Sequence, residues 1–189
     1  MKKMDDEFEN PIDYFIINKI CEPLSEYIHT NFPQTTPNFI TFIGLICGLI
    51  SIFFLINNFY FLAFIFFWIC YILDCLDGYY ARKYDMVTKF GDYFDHIRDI
   101  IVNFIIVLVI LSKLKKNERY IFMILFLMFF IPMNMHLGFQ NNENSVLSLL
   151  SHICHEDQDL HTLKYFGCGT YMLFISLSFI YLQNNTVGF

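Results

Sequence analysis

Polar and apolar positions in this chain fall into long blocks. No Asp, Glu, Lys or Arg occurs over residues 27–73, 100–112, 120–142 or 165–189. Within and around these blocks the pattern predicts five helical spans. The first covers 39–56, opened by Pro37 and closed by Asn57 and Asn58. The second is apolar over 59–73 and continues to about Arg82. Its ~15 apolar residues rise roughly 22 Å, most of the ~30 Å hydrocarbon thickness, so Asp74 and Asp77 fall near the far interface. The third runs over about 90–111, the fourth over about 120–136 and the last over about 166–182. Residues 138–164 are polar except for a short apolar piece at 146–153, which is too short for a sixth span unless it is re-entrant. Upstream, Ile12, Phe15, Ile16, Ile20, Leu24, Tyr27 and Ile28 recur at helical spacing over 11–31. That segment is too charged to span. It predicts an amphipathic helix at the membrane surface, which Pro23 breaks or bends. The first apolar run lies behind a polar leader, so no secretory signal peptide is expected.

Composition strengthens this picture. The 189 residues are 56% hydrophobic, 20% aromatic and 16% charged, against about 25% charged in a typical soluble domain. Disorder, a secreted disulfide scaffold and a nucleic-acid module are excluded. The expected fold is all-α, a polytopic membrane bundle of five to six transmembrane helices with an N-terminal amphipathic surface helix. Residues 1–36 form a polar tail and juxtamembrane helix, and 37–189 form the transmembrane domain. The net charge of −6 is uneven, with an acidic, solvated N-terminus that argues against an anionic-lipid or nucleic-acid anchor. The six cysteines form no C-x-x-C pair and read as small buried hydrophobes. Gly44 and Gly48 let a neighbouring helix approach closely, within the chain or in a homodimer.

Ionised groups inside a membrane span point to function. Asp74 and Asp77 are three apart, Asp95 and Asp99 four apart, so each pair shares a helix face. The short link at 83–89 makes the two helices antiparallel neighbours with both acid pairs at the linked end. Four carboxylates brought together repel unless a cation compensates them. An all-oxygen set favours Mg²⁺ or Mn²⁺, and two such ions suit a phosphoryl-type displacement. Gly78 and Ala81 keep the wall beside the acids small, Arg82 offers a bidentate phosphate ligand, and Gly91 leaves room at the start of the third span. Ion pairing among Asp77, Arg82, Arg98 and Asp99 is the alternative use of these residues.

The stretch D74-x2-D77-G78-x2-A81-R82-x8-G91-x3-D95-x3-D99 resembles the signature of the CDP-alcohol phosphotransferase family at every fixed position. Upstream, the run from Thr36 through Pro37, Asn38 and Phe39 to Thr41 is similar to the segment that opens the family's first span. The layout matches over about residues 11–136. The resemblance implies transfer of a substituted phosphate from a CDP-linked donor to an alcohol, with release of CMP. It implies that Asp74, Asp77, Asp95 and Asp99 bind two Mg²⁺ or Mn²⁺ ions, and that Asp99 is also the general base. Asn38, Thr41, Gly78, Ala81, Arg82, Thr88 and Gly91 would shape or hold the CDP site. His96, beside Asp95, is a second catalytic candidate.

The implied activity is that of a phosphatidyltransferase of phospholipid synthesis, integral to a membrane (the endoplasmic reticulum in a eukaryote). Its donor would be a CDP-linked lipid, CDP-diacylglycerol, and its acceptor a small alcohol. Few basic residues lie on the active-site side, namely Lys83, Lys89, Arg98 and Lys164, which leans towards a neutral acceptor. A cytosolic donor places the 83–89 link in the cytosol. Lys113, Lys115, Lys116 and Arg119 then face the opposite side, against the positive-inside tendency. Alternatives are a choline- or ethanolamine-phosphotransferase, or, in another class, a catalytically silent membrane protein or an ion carrier. The polar stretch with His152, Cys154, His155, Asp157, Asp159 and His161 matches no standard zinc spacing and reads as a loop.

Overall fold

The computed structural model describes residues 7–139 and 157–186. Among them there are helices and no strand: α1 (Pro11–Ile16), α2 (Glu22–Asn31), α3 (Pro37–Ile56), α4 (Tyr60–Lys83), α5 (Lys89–Lys113), α6 (Lys116–Phe139), α7 (Asp157–Leu163) and α8 (Cys168–Thr186). All five expected spans are therefore helices, α3 to α6 and α8. Pro37–Ile56, Tyr60–Lys83, Lys116–Gly138 and Leu160–Asn185 are long and apolar enough to cross a membrane. The remaining expected span, α5, is as long as these but carries Asp92, Asp95, Arg98 and Asp99 in its first half. Outward apolar side chains such as Phe53, Phe61, Phe104 and Ile124 are exposed, as lipid-facing residues are. The chain is an integral membrane protein. The apolar piece at 146–153, and His152, Cys154 and His155 of the polar stretch, lie outside the described residues.

Local chemistry sets the boundaries. Thr36 caps α3 by accepting from Phe39 N at 3.3 Å, with Pro37 in the first turn, where its missing N–H is harmless. Asn58 turns the chain into α4 with φ 64°, and Asp85 turns it into α5 with φ 54°. Thr88 caps α5 by accepting from Gly91 N at 3.0 Å. Before Pro23, residues Ile17–Cys21 wind as a π turn, and Glu22 N bonds Ile17 O. The proline thus widens the amphipathic helix locally without ending it, because its ring cannot continue the ordinary hydrogen-bond ladder.

The buried face of α3 runs through Ile40, Thr41, Gly44, Gly48, Ser51, Ile52 and Leu55. A Cβ on Gly48 would sit 2.9 Å from Val102 of α5 and 3.3 Å from Cys70 of α4. The glycine pair is therefore used for packing within the chain. Ser51 Oγ also donates to Ala63 O at 2.8 Å, locking α3 to α4. The acid pairs of α4 and α5 meet at their linked ends as expected, joined through Arg98, while α3 packs against both helices and their backbones make little direct contact. The physical reason lies in the side chains: the two glycines draw α3 inward, while a layer of charged groups stands between the acidic ends of α4 and α5.

The amphipathic segment docks on the bundle. Cys21 and Ser25 are buried, His29 Nδ1 meets the Tyr80 hydroxyl at 3.2 Å, and Lys83 pairs with Glu26 at 2.9 Å. The Tyr71 hydroxyl donates to buried Asp13. Asn10, fully buried, donates to Lys164 O at 2.7 Å and Thr170 Oγ1 at 2.8 Å. These bonds tie the start of α1 to the start of α8.

Candidate active site

The acids of α4 and α5 meet around one side chain. Arg98 is 2% exposed and reaches all four carboxylates. Its Nη2 lies 2.7 Å from both Asp95 Oδ1 and Asp99 Oδ1 and also donates to Asp74 Oδ1. Its Nη1 lies 3.3 Å from Asp77 Oδ2, and its Nε 3.1 Å from Asp99 Oδ1. The helical period explains the convergence. Asp95, Arg98 and Asp99 share one face of α5, and Asp74 and Asp77 share one face of α4. Gly44 completes the pocket from α3, since a Cβ there would lie 2.9 Å from Arg98 Nη1.

Exposure is graded across the layer. The side chain of Asp77 is 3% exposed and that of Asp74 19%, while Asp95 reaches 29% and Asp99 37%. Asp77 forms the buried floor, where Thr41 Oγ1 donates to its Oδ2 at 2.6 Å. Asp99 stands at the open rim. Asp74, Asp95 and Asp99 offer oxygens that all lie within 4.8 Å of one another, a group that could hold a metal ion. Asp77 is not in that group. The donor set fits a hard divalent cation, because every ligand atom is a carboxylate oxygen. One guanidinium also leaves four carboxylates short of neutral.

The other expected residues have varied surroundings. Arg82 folds back along α4 so that its Nη1 lies 3.1 Å from where a Gly78 Cβ would be. Its Nε is buried without a hydrogen-bond partner among the described residues. The room left by Gly78 is thus filled by this guanidinium, with Ala81 partly buried beside it in sequence. Asn38 Oδ1 lies 2.8 Å from where a Gly91 Cβ would be, so Gly91 admits Asn38 to the start of α5. Thr88 serves there as the cap. His96 Nδ1 bonds Asp92 O at 2.7 Å, one turn back, and lies 3.7 Å from Asp92 Oδ1.

Ion pairing at this site is extensive, and it centres on Arg98. Sequence reasoning counted Arg98 among the ion-pairing residues but did not place it in the site. The available signal was its spacing: three residues after Asp95 and one before Asp99, inside an apolar helix, it must share their environment.

Comparison with known proteins agrees with the motif. Residues 34–186 match the family model described as CDP-alcohol phosphatidyltransferase. A CDP-diacylglycerol–glycerol-3-phosphate 3-phosphatidyltransferase of Rickettsia felis is 43% identical over 47 residues, covering 25% of this chain. The chain spans 26% of the length of that relative. No solved structure matches the chain.

Proposed function

Because the chain belongs to the CDP-alcohol phosphatidyltransferase family, a family that uses divalent metal ions, we propose that it moves the phosphatidyl group of CDP-diacylglycerol to an alcohol and releases CMP. The observation that carries this is the meeting of Asp74, Asp77, Asp95 and Asp99 in one layer between the linked ends of α4 and α5.

Asp74, Asp77, Asp95 and Asp99 would hold two Mg²⁺ or Mn²⁺ ions. When bound, these ions supply charge neutralisation to the diphosphate and to departing CMP. Arg82, buried with an unpaired Nε, provides donors for a phosphate oxygen. Asn38, Thr41, Gly78, Ala81, Thr88 and Gly91 would line the CDP part of the donor. Asp99, the most open of the four acids, takes the proton of the acceptor hydroxyl. That oxygen forms a bond to the phosphatidyl phosphorus as the bond to CMP breaks, and CMP carries away the electron pair. His96 stands one residue from Asp95 and would assist at the acceptor side.

The acceptor is read as a neutral alcohol. Lys83 is paired with Glu26, which reduces the positive charge on this side for a phosphorylated acceptor. We place the 83–89 link in the cytosol, where a CDP-linked donor is made, in the endoplasmic reticulum if the source is eukaryotic. Residues 37–189 act as the transmembrane catalytic unit, with 1–36 docked beside it. A homodimer would use faces other than the Gly44–Gly48 pair.

The test is CMP release by the purified protein with Mn²⁺ and radiolabelled CDP-diacylglycerol, run against a panel of alcohols. Radiolabelled phospholipid product with a neutral alcohol is expected. Release only from CDP-choline or CDP-ethanolamine with diacylglycerol would replace the donor. No CMP from any CDP-linked donor would overturn the activity.

A further inference from the structure

The acid cluster holds an organic cation where an inorganic one is wanted. Arg98 Nη2 touches Asp74, Asp95 and Asp99. Those are the three carboxylates whose oxygens lie close enough together to share one ion. The side chain of Arg98 is 0% exposed, so the carboxylates and not bulk water compensate its charge. A guanidinium and a divalent ion cannot occupy the centre of the same three carboxylates. They would overlap in volume, and like charges in a poorly hydrated layer repel strongly.

We propose that Arg98 is a tethered cation that fills the divalent-metal position in the metal-free enzyme, and that metal entry is an exchange in which Arg98 is displaced from the carboxylates. This rests on the reading of the cluster as a metal site given above. Three observations carry it. Arg98 bonds to all four acids at once, more than a single structural ion pair requires. Its side chain is long and flexible, so it can leave the cluster without moving α5. Gly44 places no Cβ against Nη1, and Ala there would approach it to 2.9 Å, so α3 is shaped to accept the guanidinium in this position.

Such a tether keeps four carboxylates together and soluble in the apolar surroundings before metal arrives. It also lowers apparent metal affinity by the fraction of molecules in which Arg98 is away. If that fraction is about one in ten, removal of Arg98 tightens metal binding about tenfold.

The experiment is titration of the purified full chain in detergent with Mn²⁺, following loss of the free-ion EPR signal. Arg98→Gln is expected to bind Mn²⁺ at least tenfold more tightly than the unaltered protein. Without metal, its thermal midpoint should fall, and Mn²⁺ should raise that midpoint more than it does in the unaltered protein. If Arg98→Gln is not monodisperse, Gly44→Ala answers the same question. It crowds Nη1 without removing any charge, and should also tighten Mn²⁺ binding, by a few-fold. Equal or weaker Mn²⁺ affinity in the tested variant overturns the exchange while leaving the metal site standing. Absence of Mn²⁺ binding in both proteins overturns the metal reading itself, and the exchange with it.

Discussion

Thr41 donates its hydroxyl hydrogen to Asp77 Oδ2 at 2.6 Å, joining the first turns of α3 to the buried floor of the acid layer. The same oxygen lies 3.3 Å from Arg98 Nη1. One carboxylate oxygen therefore links three helices. Thr41→Val keeps the shape and deletes the donor. A hydrogen bond to a charged buried group contributes about 1.5–3 kcal/mol, so the thermal midpoint in detergent should fall and Thr41→Ser should restore most of it. A Thr41→Val protein as stable as the original would show that this bond does not hold α3 to α4.

The close approach of α3 and α5 at Gly48 makes a second prediction. A Cβ there would lie 2.9 Å and 3.0 Å from the two methyl carbons of Val102. Val102 is β-branched and buried, so it cannot swing aside. Gly48→Ala should cost about 1–3 kcal/mol by overpacking. Val102→Ala should relieve that cost in the double variant, and the coupling is read from a double-mutant cycle. Additive losses would mean that Gly48 is not constrained by Val102.

Asn10 stitches the amphipathic segment to the far end of the chain. Its Oδ1 accepts from Ile12 N at 3.0 Å, capping α1, while its amide reaches Lys164 O and Thr170 Oγ1. Removal of a cap and two buried bonds by Asn10→Ala should cost about 2 kcal/mol. The control is Asn18→Ala, whose amide bonds Tyr14 O one turn back, at an exposed position, and which should change stability by less than about 0.5 kcal/mol. Equal effects from the two substitutions would remove Asn10 as a clamp.

Docking of the same segment governs thiol chemistry. Burial, with the negative charge of Asp77 adding to it, pushes the Cys21 thiol up to about 12. A raised thiol pKa keeps the neutral, unreactive form through the mildly alkaline range. At pH 8 in detergent, N-ethylmaleimide should leave Cys21 unmodified by peptide mass spectrometry, and should label it once the protein is unfolded in SDS. Rapid labelling of the folded protein would mean that α1 and α2 are not seated against α4.

The helices and their order were legible because charge-free blocks and their punctuation by Pro37, Asn57 and Asn58 are one-dimensional signals. The acid spacing was legible for the same reason, since three- and four-residue steps on a helix define a face. The relation of α4 to α5 was legible only in part. Chain connectivity brought their acid pairs to one end, whereas the side-chain volume of the charged layer and the two glycines of α3 decide which backbones meet. Arg98 illustrates the same limit. Its position predicts proximity to Asp95 and Asp99, but its reach to Asp74 and Asp77 depends on how α4 is placed against α5 through α3. The docking of Asn10 on Lys164 and Thr170 joins residues with no sequence pattern in common.

The last prediction separates the two candidate catalytic groups. Asp99 is at the open rim of the acid layer and bonds Arg98 Nε and Nη2, whereas His96 Nδ1 is held by Asp92 O at 2.7 Å. Donation from Nδ1 to Asp92 O leaves Nε2 as the accepting nitrogen of His96, so position separates the two candidates: Asp99 belongs to the acid layer around Arg98. Loss of a general base typically costs about 10²–10⁴ in rate, and Asp99 would also be a metal ligand. Asp99→Asn should therefore reduce CMP release from CDP-diacylglycerol by more than about 10³-fold while the protein still inserts and remains monodisperse. His96→Gln should reduce the rate by less than about tenfold. If His96→Gln is as defective as Asp99→Asn and shifts the pH–rate profile near pH 6–7, the imidazole is the base and Asp99 serves the metal alone.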